Sequence, residues 1–346
     1  MLSLSNGLGW CPNDAVFRWV TLFRGSSAGS GGCLENYGSL ELRGVRFEAC
    51  VAAAGFGGGL YNSGVVFAHD SVFSQCTADK FGGGVHSSGA GSRFEGTKVE
   101  VSDCNVFNGD GAGVYNKGGV VLLVDSVVAR NRVAKRWAGG VWNEAGLFEA
   151  TNTSIVENWS FRYGGGVHNH NGGTFRCLNC YIARNRAAEG AGFTSKGALV
   201  ELIDSRLEAN VADYDGGGLA VLGSTVSLVN VSATLNKAAR GGFAFVYGAL
   251  VCDGVEAFAN VATDGAAVYL GDDGASVRAA PAAPGGFGLE LHSYDAFHER
   301  GTISVGPGAS QVVLEGVTST GSKASQGAFL FVHPSASVTV DRSALF

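Results

Sequence analysis

The stretch Gly164-Gly165-Gly166-Val167-His168-Asn169-His170-Asn171-Gly172-Gly173-Thr174-Phe175-Arg176-Cys177-Leu178-Asn179-Cys180-Tyr181-Ile182-Ala183-Arg184-Asn185 is the unit that this chain repeats. It opens with a glycine cluster, passes through short segments in which apolar and polar residues alternate, and ends in an asparagine. The next glycine cluster starts at Gly190, 26 residues after Gly164. Self-similarity at a fixed period of this length indicates a solenoid or array, so the repeat governs the inferences that follow.

Two columns of residues align across nine coils without an insertion. A ladder position near the end of each coil is filled by Cys50, Cys76, Cys104, Asn131, Asn158, Asn185, Asn210, Asn236 and Asn260. Ten residues earlier stand the apolar residues Leu40, Val66, Phe94, Val121, Phe148, Phe175, Val200, Val226 and Leu250. Because length varies only in the turns, we predict that stacked asparagines hydrogen-bond along the ladder while stacked apolar residues fill the core.

Alternation with a period of two runs through each segment, and no segment carries a useful helical stripe. A period of 24–29 residues, built from short strands and glycine turns, predicts an all-β fold: a parallel β-helix of about eleven coils with three short strands per coil. Residues 1–30 are an irregular segment or a partial first coil, and residues 31–346 carry the repeats. We predict an excursion loop at about residues 276–300 and an incomplete last coil that begins at Gly327.

Composition and charge exclude several classes of protein. The 346 residues include 55 glycines but only 5 prolines, which argues against collagen, and the 46% of hydrophobic residues can build a long core. A net charge of −6 argues against a protein that binds nucleic acid by neutralising phosphates. No apolar run is long enough for a membrane-spanning helix, and Met1–Gly7 shows no basic region followed by an apolar segment. We therefore expect no nucleic-acid partner and no membrane-spanning segment.

The paired motifs of the repeat resemble those of a known family. Gly165-Gly166-Val167 with Ile182-Ala183-Arg184-Asn185, and Gly139-Gly140-Val141 with Ile155-Val156-Glu157-Asn158, are similar to the repeats of the chlamydial polymorphic outer-membrane proteins and related extracellular β-helix proteins. The resemblance covers roughly residues 31–346, with a departure after Phe47 and Phe73, where cysteine replaces the final asparagine. It implies a right-handed, pectin-lyase-like β-helix at a cell surface or outside the cell, often with an adhesive role.

Five outward positions in consecutive coils carry aromatic rings: Tyr61, His86, Tyr115, Trp142 and His168. A stripe of this kind would stack against the rings of a polysaccharide or a cell-surface glycan, because large exposed aromatic patches tend to mark contacts. The alternative is ordinary cross-strand packing on a β-face. We retain these five residues as a candidate glycan site and infer a module that acts in adhesion, structural spacing or glycan binding.

The cysteines fit a core better than a metal site. Cys177 falls in the buried column of Ala150 and Leu202, whereas Cys180 falls in a column of small residues, so the pair does not converge as zinc ligands must. Cysteines also fill three consecutive ladder positions: Cys50, Cys76 and Cys104. Their spacing allows a disulfide but parallel Cβ vectors make one awkward, so we favour buried thiols at both places and leave the disulfide state of the ladder cysteines open. We predict no metal and no cofactor.

The rival class is an enzyme, a polysaccharide lyase or hydrolase of the pectin-lyase-like class. That chemistry needs paired carboxylates, or a carboxylate-bound calcium ion with a basic residue. The outward corner column has no carboxylates in adjacent coils; it reads Asp70, Lys98, Asp125, Asn152, Asn179, Asp204 and Asn230. The carboxylate pairs Asp213 with Asp215 and Asp272 with Asp273 lie in glycine-rich turns. We therefore predict no catalytic residue and a non-enzymatic module.

Three Asn-x-Ser sequons differ in register. Asn152 and Asn230 occupy the outward corner column and can carry a glycan if the protein passes a secretory pathway, whereas Asn158 is a buried ladder residue. The last coil stops at Phe346, before its ladder position. We expect the chain to be a fragment of a longer solenoid, and we expect its open end either to favour end-to-end self-association or to fray.

Overall fold

The computed structural model describes residues 15–271, 275–279, 289–292, 301–307, 312–315, 317–320, 329–341 and 344–345. Within these ranges all of the regular secondary structure consists of β-strands, and neighbouring strands pair in parallel. The chain divides into two compact units, Met1–Arg176 and Cys177–Phe346. In each unit the strands stack coil upon coil.

Three parallel sheets run along the coils of the first unit. The major sheet contains Ala15–Arg18, Leu34–Asn36, Ser39–Arg43, Leu60–Asn62, Val65–His69, Val85–Ser88, Arg93–Thr97, Val114–Lys117, Val120–Val124, Val141–Glu144, Leu147–Thr151 and Val167–His170, with Thr174–Leu178 at the boundary of the unit. The second sheet contains Thr21–Phe23, Arg46–Glu48, Val72–Ser74, Glu100–Ser102, Val127–Ala129 and Ser154–Val156. The third sheet contains Ser26–Ser27, Val51–Ala52, Thr77–Ala78, Asn105–Val106, Arg132–Val133 and Trp159–Ser160.

The second unit repeats this plan with fewer strands in the third sheet. Its major sheet contains Phe193–Lys196, Leu199–Ile203, Leu219–Val229, Ala244–Asp253, Val268–Leu270, Ser276–Ala279, Ile303–Val305, Val312–Glu315, Leu330–Val332 and Val338–Asp341. The second sheet contains Tyr181–Ala183, Arg206–Glu208, Ser232–Thr234, Val255–Phe258, Leu289–His292, Val317–Thr320 and Ala344–Leu345. The third sheet contains Arg186–Glu189 and Val211–Asp215.

This arrangement confirms the predicted fold, a right-handed parallel β-helix of about eleven coils with three strand-bearing faces. The first two strands predicted in each coil lie end to end in the major sheet, and they fuse into one strand at Leu219–Val229. The third predicted strand forms the second sheet. The third sheet consists of short strands just after the ladder position, such as Trp159–Ser160, whose two residues are too few to show an alternation in sequence.

Strands continue through part of the predicted excursion loop. Ser276–Ala279 pairs with the preceding coil, where Val277 lies opposite Leu250, and Leu289–His292 pairs with Val255–Phe258. Two segments of the predicted range 276–300 therefore belong to the sheets, and its other residues lie outside the described ones. The turn residues Asp272 and Asp273 and the predicted start of the last coil at Gly327 also lie outside them.

Each coil turns at residues in the left-handed α conformation. At the corner between the major and second sheets the φ angle is 49° at Asp70, 50° at Asp125, 49° at Asn152 and 52° at Asn230. This conformation costs a non-glycine residue roughly 1–2 kcal/mol, and asparagine and aspartate tolerate it best because their short polar side chains hydrogen-bond locally. The outward corner column is therefore rich in Asn and Asp for a backbone reason.

Inward side chains of successive coils stack to form the core of each unit. In the first unit the rings of Phe47 and Phe73 stack with their centroids 4.4 Å apart. Apolar burial of this kind contributes about 25 cal/mol per Å². A glycine before the first strand leaves room for the ladder side chain, because a Cβ added to Gly140 would lie 2.9 Å from Nδ2 of Asn158.

Three cysteines predicted to be buried thiols are disulfide-bonded instead: Cys50, Cys177 and Cys180. Cys50 joins Cys33, which occupies the place that glycine holds in later coils and therefore faces the ladder position of its own coil. The prediction compared Cys50 only with the coils above and below it. Cys177 and Cys180 are both buried on the inside of the wall, where they bond to each other. The free buried thiols of the described residues are Cys76, Cys104 and Cys252.

Candidate functional site

The asparagine ladder is present in both units. In the first unit Asn158 Oδ1 accepts hydrogen bonds from the backbone N–H and from Nδ2 of Asn131, both at 3.0 Å, and Asn158 Nδ2 donates to the carbonyl of Val128 at 3.0 Å. In the second unit side-chain hydrogen bonds link Asn185, Asn210, Asn236 and Asn260 in turn. These side chains are at most 1% exposed. The ladder therefore satisfies polar groups inside the core that a corner would leave unpaired.

A second side-chain ladder runs along the ends of the first strands. Asn36 Nδ2 donates to Asn62 Oδ1 at 2.9 Å, and Asn116 Nδ2 donates to Asn143 Oδ1 at 2.8 Å. The shorter Ser87 interrupts this ladder, and Oδ1 of Asn116 is left without a hydrogen-bond partner in the described part of the chain. Both ladders link neighbouring coils by hydrogen bonds, so the side chains that form these bonds stabilise the fold.

The five aromatic residues of the predicted stripe do form one column in the first unit. Tyr115 lies opposite His86 on one side and Trp142 on the other. The ring centroids are 5.3 Å apart for Tyr61 and His86, 4.9 Å for His86 and Tyr115, 5.9 Å for Tyr115 and Trp142, and 4.6 Å for Trp142 and His168. Neighbouring ring planes lie within 22° of parallel. The rings are therefore stacked along the column.

A second column of side chains covers this stripe. It consists of the residues before each glycine cluster: Phe56, Phe81, Asp110, Trp137 and Tyr163. Phe81 stacks on Tyr115 with the ring centroids 4.8 Å apart, and Trp137 stacks on Trp142 at 5.5 Å. Each covering residue stands five places before a member of the stripe, because the chain folds back at the turn. Sequence reasoning missed this covering column, although an aromatic residue before four of these five glycine clusters was a readable signal.

The covering column removes most of the stripe from the surface. His86, Tyr115, Trp142 and His168 are 4%, 2%, 3% and 2% exposed, while Tyr61 keeps partial exposure. A sugar ring stacks on an open aromatic face, and a covered stack offers none. The stripe points outward from the sheet as expected from the alternation, but it does not present the exposed rings on which the glycan prediction relied.

Burial also sets the electrostatics of the two columns. Burial lowers the pKa of His86 to about 3, with a smaller contribution from the charge of Lys117, so the imidazole is neutral at ordinary pH. Burial raises the pKa of Asp110 to about 6, although the backbone N–H of Trp137 donates to its carboxylate at 3.1 Å and opposes the rise. The columns therefore enclose a neutral imidazole and a carboxyl group that titrates near pH 6.

The same place in the coils of the second unit holds different side chains. Positions in register with the stripe carry Thr194, Ala220, Phe245 and Tyr269. In the covering column Arg240 makes two hydrogen bonds to Asp215, at 2.6 and 2.7 Å. The guanidinium carbon of Arg240 also lies 5.0 Å from the ring centroid of Phe245 and 5.1 Å from that of Tyr269. Phe245 and Tyr269 still stack, with their ring centroids 5.4 Å apart, so a cation takes the place of the aromatic residues in the covering column only.

The sequon asparagines lie in two kinds of environment. Asn152 and Asn230 are exposed at corners, whereas Asn158 is buried in the ladder. Nδ2 of Asn152 donates to Oδ1 of Asp125 at 3.1 Å, and Nδ2 of Asn230 donates to Oδ1 of Asp204 at 2.6 Å. In both cases the acceptor is the corner residue of the preceding coil.

A surface depression of about 160 Å³ lies at a corner of the second unit. It is lined by Asp204, Ser205, Arg206, Asn230, Val231, Ser232, Gly254 and Glu256. Over the described ranges no three His, Cys, Asp or Glu side chains are grouped so that they could hold a metal ion. None of the described segments is a helix of the length and hydropathy needed to span a membrane.

No protein-family model matches this chain, and no curated protein matches it at a significant level. Among solved structures, a TibC-catalysed, hyper-glycosylated fragment of TibA, residues 55–350, is similar over 94% of this chain and 99% of that chain, with 15% sequence identity and a TM-score of 0.23. A TM-score of 0.23 is too low for this similarity to support a conclusion about the present chain.

Proposed function

We propose that this protein is a non-enzymatic extracellular or cell-surface β-helix module that acts in structural spacing and adhesion. The observation that carries the proposal is that its buried polar and aromatic side chains make contacts between neighbouring coils. Ladder residues such as Asn158 and stripe residues such as Trp142 bind one coil to the next. Because these side chains hold each coil to its neighbours, the stack is suited to presenting a rigid surface.

The disulfides support a location outside the reducing cytosol. Cys33 is bonded to Cys50, and Cys177 to Cys180. Disulfides persist in oxidising surroundings such as cell surfaces and secreted proteins. The resemblance of the repeats to those of the chlamydial polymorphic outer-membrane proteins and related extracellular β-helix proteins supports the same location, since the motifs recur through residues 31–346.

The proposed adhesive ligand is a polysaccharide or a cell-surface glycan. Its support comes from aromatic rings that reach the surface at one end of the stripe. Tyr37 is 59% exposed and its ring centroid lies 5.9 Å from that of the partly exposed Tyr61. A tyrosine offers an apolar face to the C–H groups of a sugar and a hydroxyl for hydrogen bonding. The preferred contact point is therefore Tyr61, from the predicted stripe, together with Tyr37, which the prediction did not include.

A glycan array of the folded chain tests this proposal when it is run beside an assay for sugar release from acidic polysaccharides. We expect binding to a class of glycan, no released sugar, and weaker binding by the variant Tyr37→Ser, Tyr61→Ser. The matched control is Tyr214→Ser, at a tyrosine of the second unit that is 62% exposed. Sugar release would favour the lyase or hydrolase alternative, and a folded chain that binds no glycan would contradict glycan adhesion and leave structural spacing.

A further inference from the structure

We propose that Asn152 and Asn230 are acceptor sites for N-linked glycans, and that the ladder closes the third sequon, at Asn158, to glycan. The proposal rests on the proposed extracellular function, since such sugars are added to chains that enter a secretory pathway. The three sequons are Asn152-Thr153-Ser154, Asn230-Val231-Ser232 and Asn158-Trp159-Ser160. The same tripeptide pattern therefore occurs in two open environments and one closed environment of a single chain.

The two open sequons share one backbone geometry. Asn152 and Asn230 adopt left-handed φ angles of 49° and 52°, and both are exposed. The middle residue of each sequon turns into the core, and the serine hydroxyl that follows, on Ser154 or Ser232, returns to a partly exposed position. The acceptor amide and the hydroxyl of the sequon thus both face away from the core, as an acceptor site requires.

The hydrogen bonds of the corner are compatible with an attached sugar. In the transfer, Nδ2 forms a bond to C1 of a sugar, the bond from C1 to the pyrophosphate oxygen of a lipid-linked oligosaccharide breaks, and one amide proton leaves with the pyrophosphate. The modified Nδ2 keeps its second N–H. That N–H can continue to donate to Asp125 next to Asn152, or to Asp204 next to Asn230, so the glycan need not disturb the corner.

The surface beside Asn230 offers room for the first sugar. Asn230 belongs to the lining of the depression of about 160 Å³, together with Arg206 and Glu256. Charged side chains form strong hydrogen bonds to hydroxyl and acetamido groups. An N-acetylhexosamine on Nδ2 therefore has polar partners within the depression.

Asn158 differs from the open sites in each of these respects. It is 1% exposed, its Oδ1 accepts two hydrogen bonds from Asn131, and its Nδ2 donates to the carbonyl of Val128. A sugar on this nitrogen would have to enter a core packed at the density of an organic crystal. A chain modified at Asn158 therefore cannot complete its ladder.

The test uses the full chain, expressed behind a cleavable secretion signal in eukaryotic cells. Peptide mapping by mass spectrometry measures the occupancy of the three sequons in the secreted and in the cell-retained protein. Ser154→Ala and Ser232→Ala each remove one sequon but keep its asparagine and the corner hydrogen bond. We expect glycans on Asn152 and Asn230, the loss of one glycan in each variant, and a bare Asn158 in the secreted protein.

Unmodified Asn152 and Asn230 in both fractions would overturn the proposal, as would a glycan on Asn158 of the secreted, folded protein. A thiol count on the same samples reports separately on the proposed function. A chain that is retained with Cys33 and Cys50 reduced would contradict the extracellular assignment, while the occupancy of Asn152 and Asn230 in that retained chain would still decide the glycan proposal.

Discussion

The ladder position holds a cysteine in the first coils of the chain and an asparagine in later ones. Cys76 Sγ lies 3.6 Å from the carbonyl of Phe47, which competes for the single S–H with the carbonyl of Ser74 at 3.3 Å, whereas Asn131 Nδ2 donates to the carbonyl of Val101 at 2.9 Å. The carbonyls of Phe47 and Val101 belong to the same column of the second sheet. The amide also bonds to the next rung, Asn158, at 3.0 Å. The same backbone group is thus satisfied weakly by a thiol and strongly by an amide.

The side chain three places before the ladder is phenylalanine in the coils of Cys50 and Cys76, whereas it is already an aliphatic residue, Val101, in the coil of the third thiol, Cys104. We call the coils of Cys50 and Cys76 the sulfur-closed coils, and those of Asn131 and Asn158 the amide-closed coils. In the sulfur-closed coils a phenylalanine stands three places before the small thiol, as at Phe73, and in the amide-closed coils a smaller aliphatic residue stands before the larger amide, as at Ile155. Both combinations are buried, with Phe73, Cys76, Ile155 and Asn158 at most 1% exposed. The two regions show that a coil can be closed by apolar volume or by hydrogen bonds.

Opening the Cys33–Cys50 disulfide should have the largest effect, because it fastens the first sulfur-closed coil covalently. The bridge spans 17 residues, and closing a loop of that length stabilises a protein by about 3 kcal/mol. We expect the variant Cys33→Ser, Cys50→Ser to lose hydrogen-exchange protection over residues 34–52. The matched control is Cys177→Ser, Cys180→Ser, which opens a bridge with a separation of 3. Equal losses of protection around the two bridges would contradict the loop-length argument.

Removing one rung from the amide-closed coils should have the next largest effect. Asn158→Ala removes the acceptor of the Asn131 backbone N–H, one of the two acceptors of Asn131 Nδ2 and a donor to the carbonyl of Val128, and buried unsatisfied groups cost on the order of 1–3 kcal/mol. Urea unfolding should show this loss of stability. Asn152→Gly is the control and should cost less, because glycine keeps the left-handed conformation of that corner and water can replace the partner of an exposed amide. A midpoint for Asn158→Ala equal to that of the parent chain would refute the stabilising role of the ladder.

Converting a sulfur-closed coil into an amide-closed coil sharpens the comparison. The space at Cys76 is already tight, since a Cβ on Gly59 would lie 3.0 Å from the ring of Phe73 and 3.3 Å from the sulfur. Cys76→Asn should therefore overpack the coil and cost about 2 kcal/mol. Adding Phe73→Ile should restore most of this loss, because it rebuilds the combination found at Ile155 and Asn158. A double-mutant cycle in urea measures the coupling energy between positions 73 and 76. Additive losses of stability would contradict the idea that a smaller side chain at position 73 makes room for asparagine at position 76.

Titration should have the smallest effect on stability. Burial raises the pKa of the Cys104 thiol, and the amides of the ladder carry no proton equilibrium near neutral pH. The dependence on pH should instead come from His86, whose pKa falls from 6.5 to about 3 on burial. The unfolded chain then binds more protons between these values, so stability is complete above pH 6.5 and decreases as the pH falls toward 3.

The variant His86→Phe isolates this contribution. Between pH 7.5 and pH 5.5 the parent chain should lose about 1 kcal/mol more stability than the variant, because the midpoint of the unfolded imidazole lies within that range. Asp110 acts in the opposite direction, since its raised pKa of about 6 makes the folded state bind the extra proton, and Asp110→Asn removes it. Urea midpoints measured across this range check both signs, and parallel profiles for the parent chain and His86→Phe would contradict the burial of a neutral imidazole.

The sequence predicts those features that depend on fixed spacing. Like residues must meet in neighbouring coils, so the number of residues between ladder positions carries the register. Asn158 and Asn236 were assigned to the interior from their column alone, and both are buried. The same reasoning placed Tyr115 and Trp142 in one outward column, which the strand register confirms.

The remaining features depend on how a turn folds back, and spacing between coils does not report on that. Trp142 is covered because the chain reverses at Ala138, where φ is 57°, and so brings Trp137 over it. The Cys33–Cys50 disulfide joins two different columns within one coil, so a comparison of equivalent positions in successive coils could not reveal it. Predicting either feature requires the path of the turn.

The ladder of the second unit has a direction along the stack. The backbone N–H and Nδ2 of each rung donate to Oδ1 of the following rung, from Asn185 through Asn210 and Asn236 to Asn260, at distances of 2.9 to 3.1 Å. The side-chain dipoles are therefore aligned, and aligned hydrogen bonds polarise one another. A coil added in register meets acceptors or donors that its predecessors have already polarised. The stack thereby acquires two electrically unlike ends, as aligned peptide dipoles give to an α-helix.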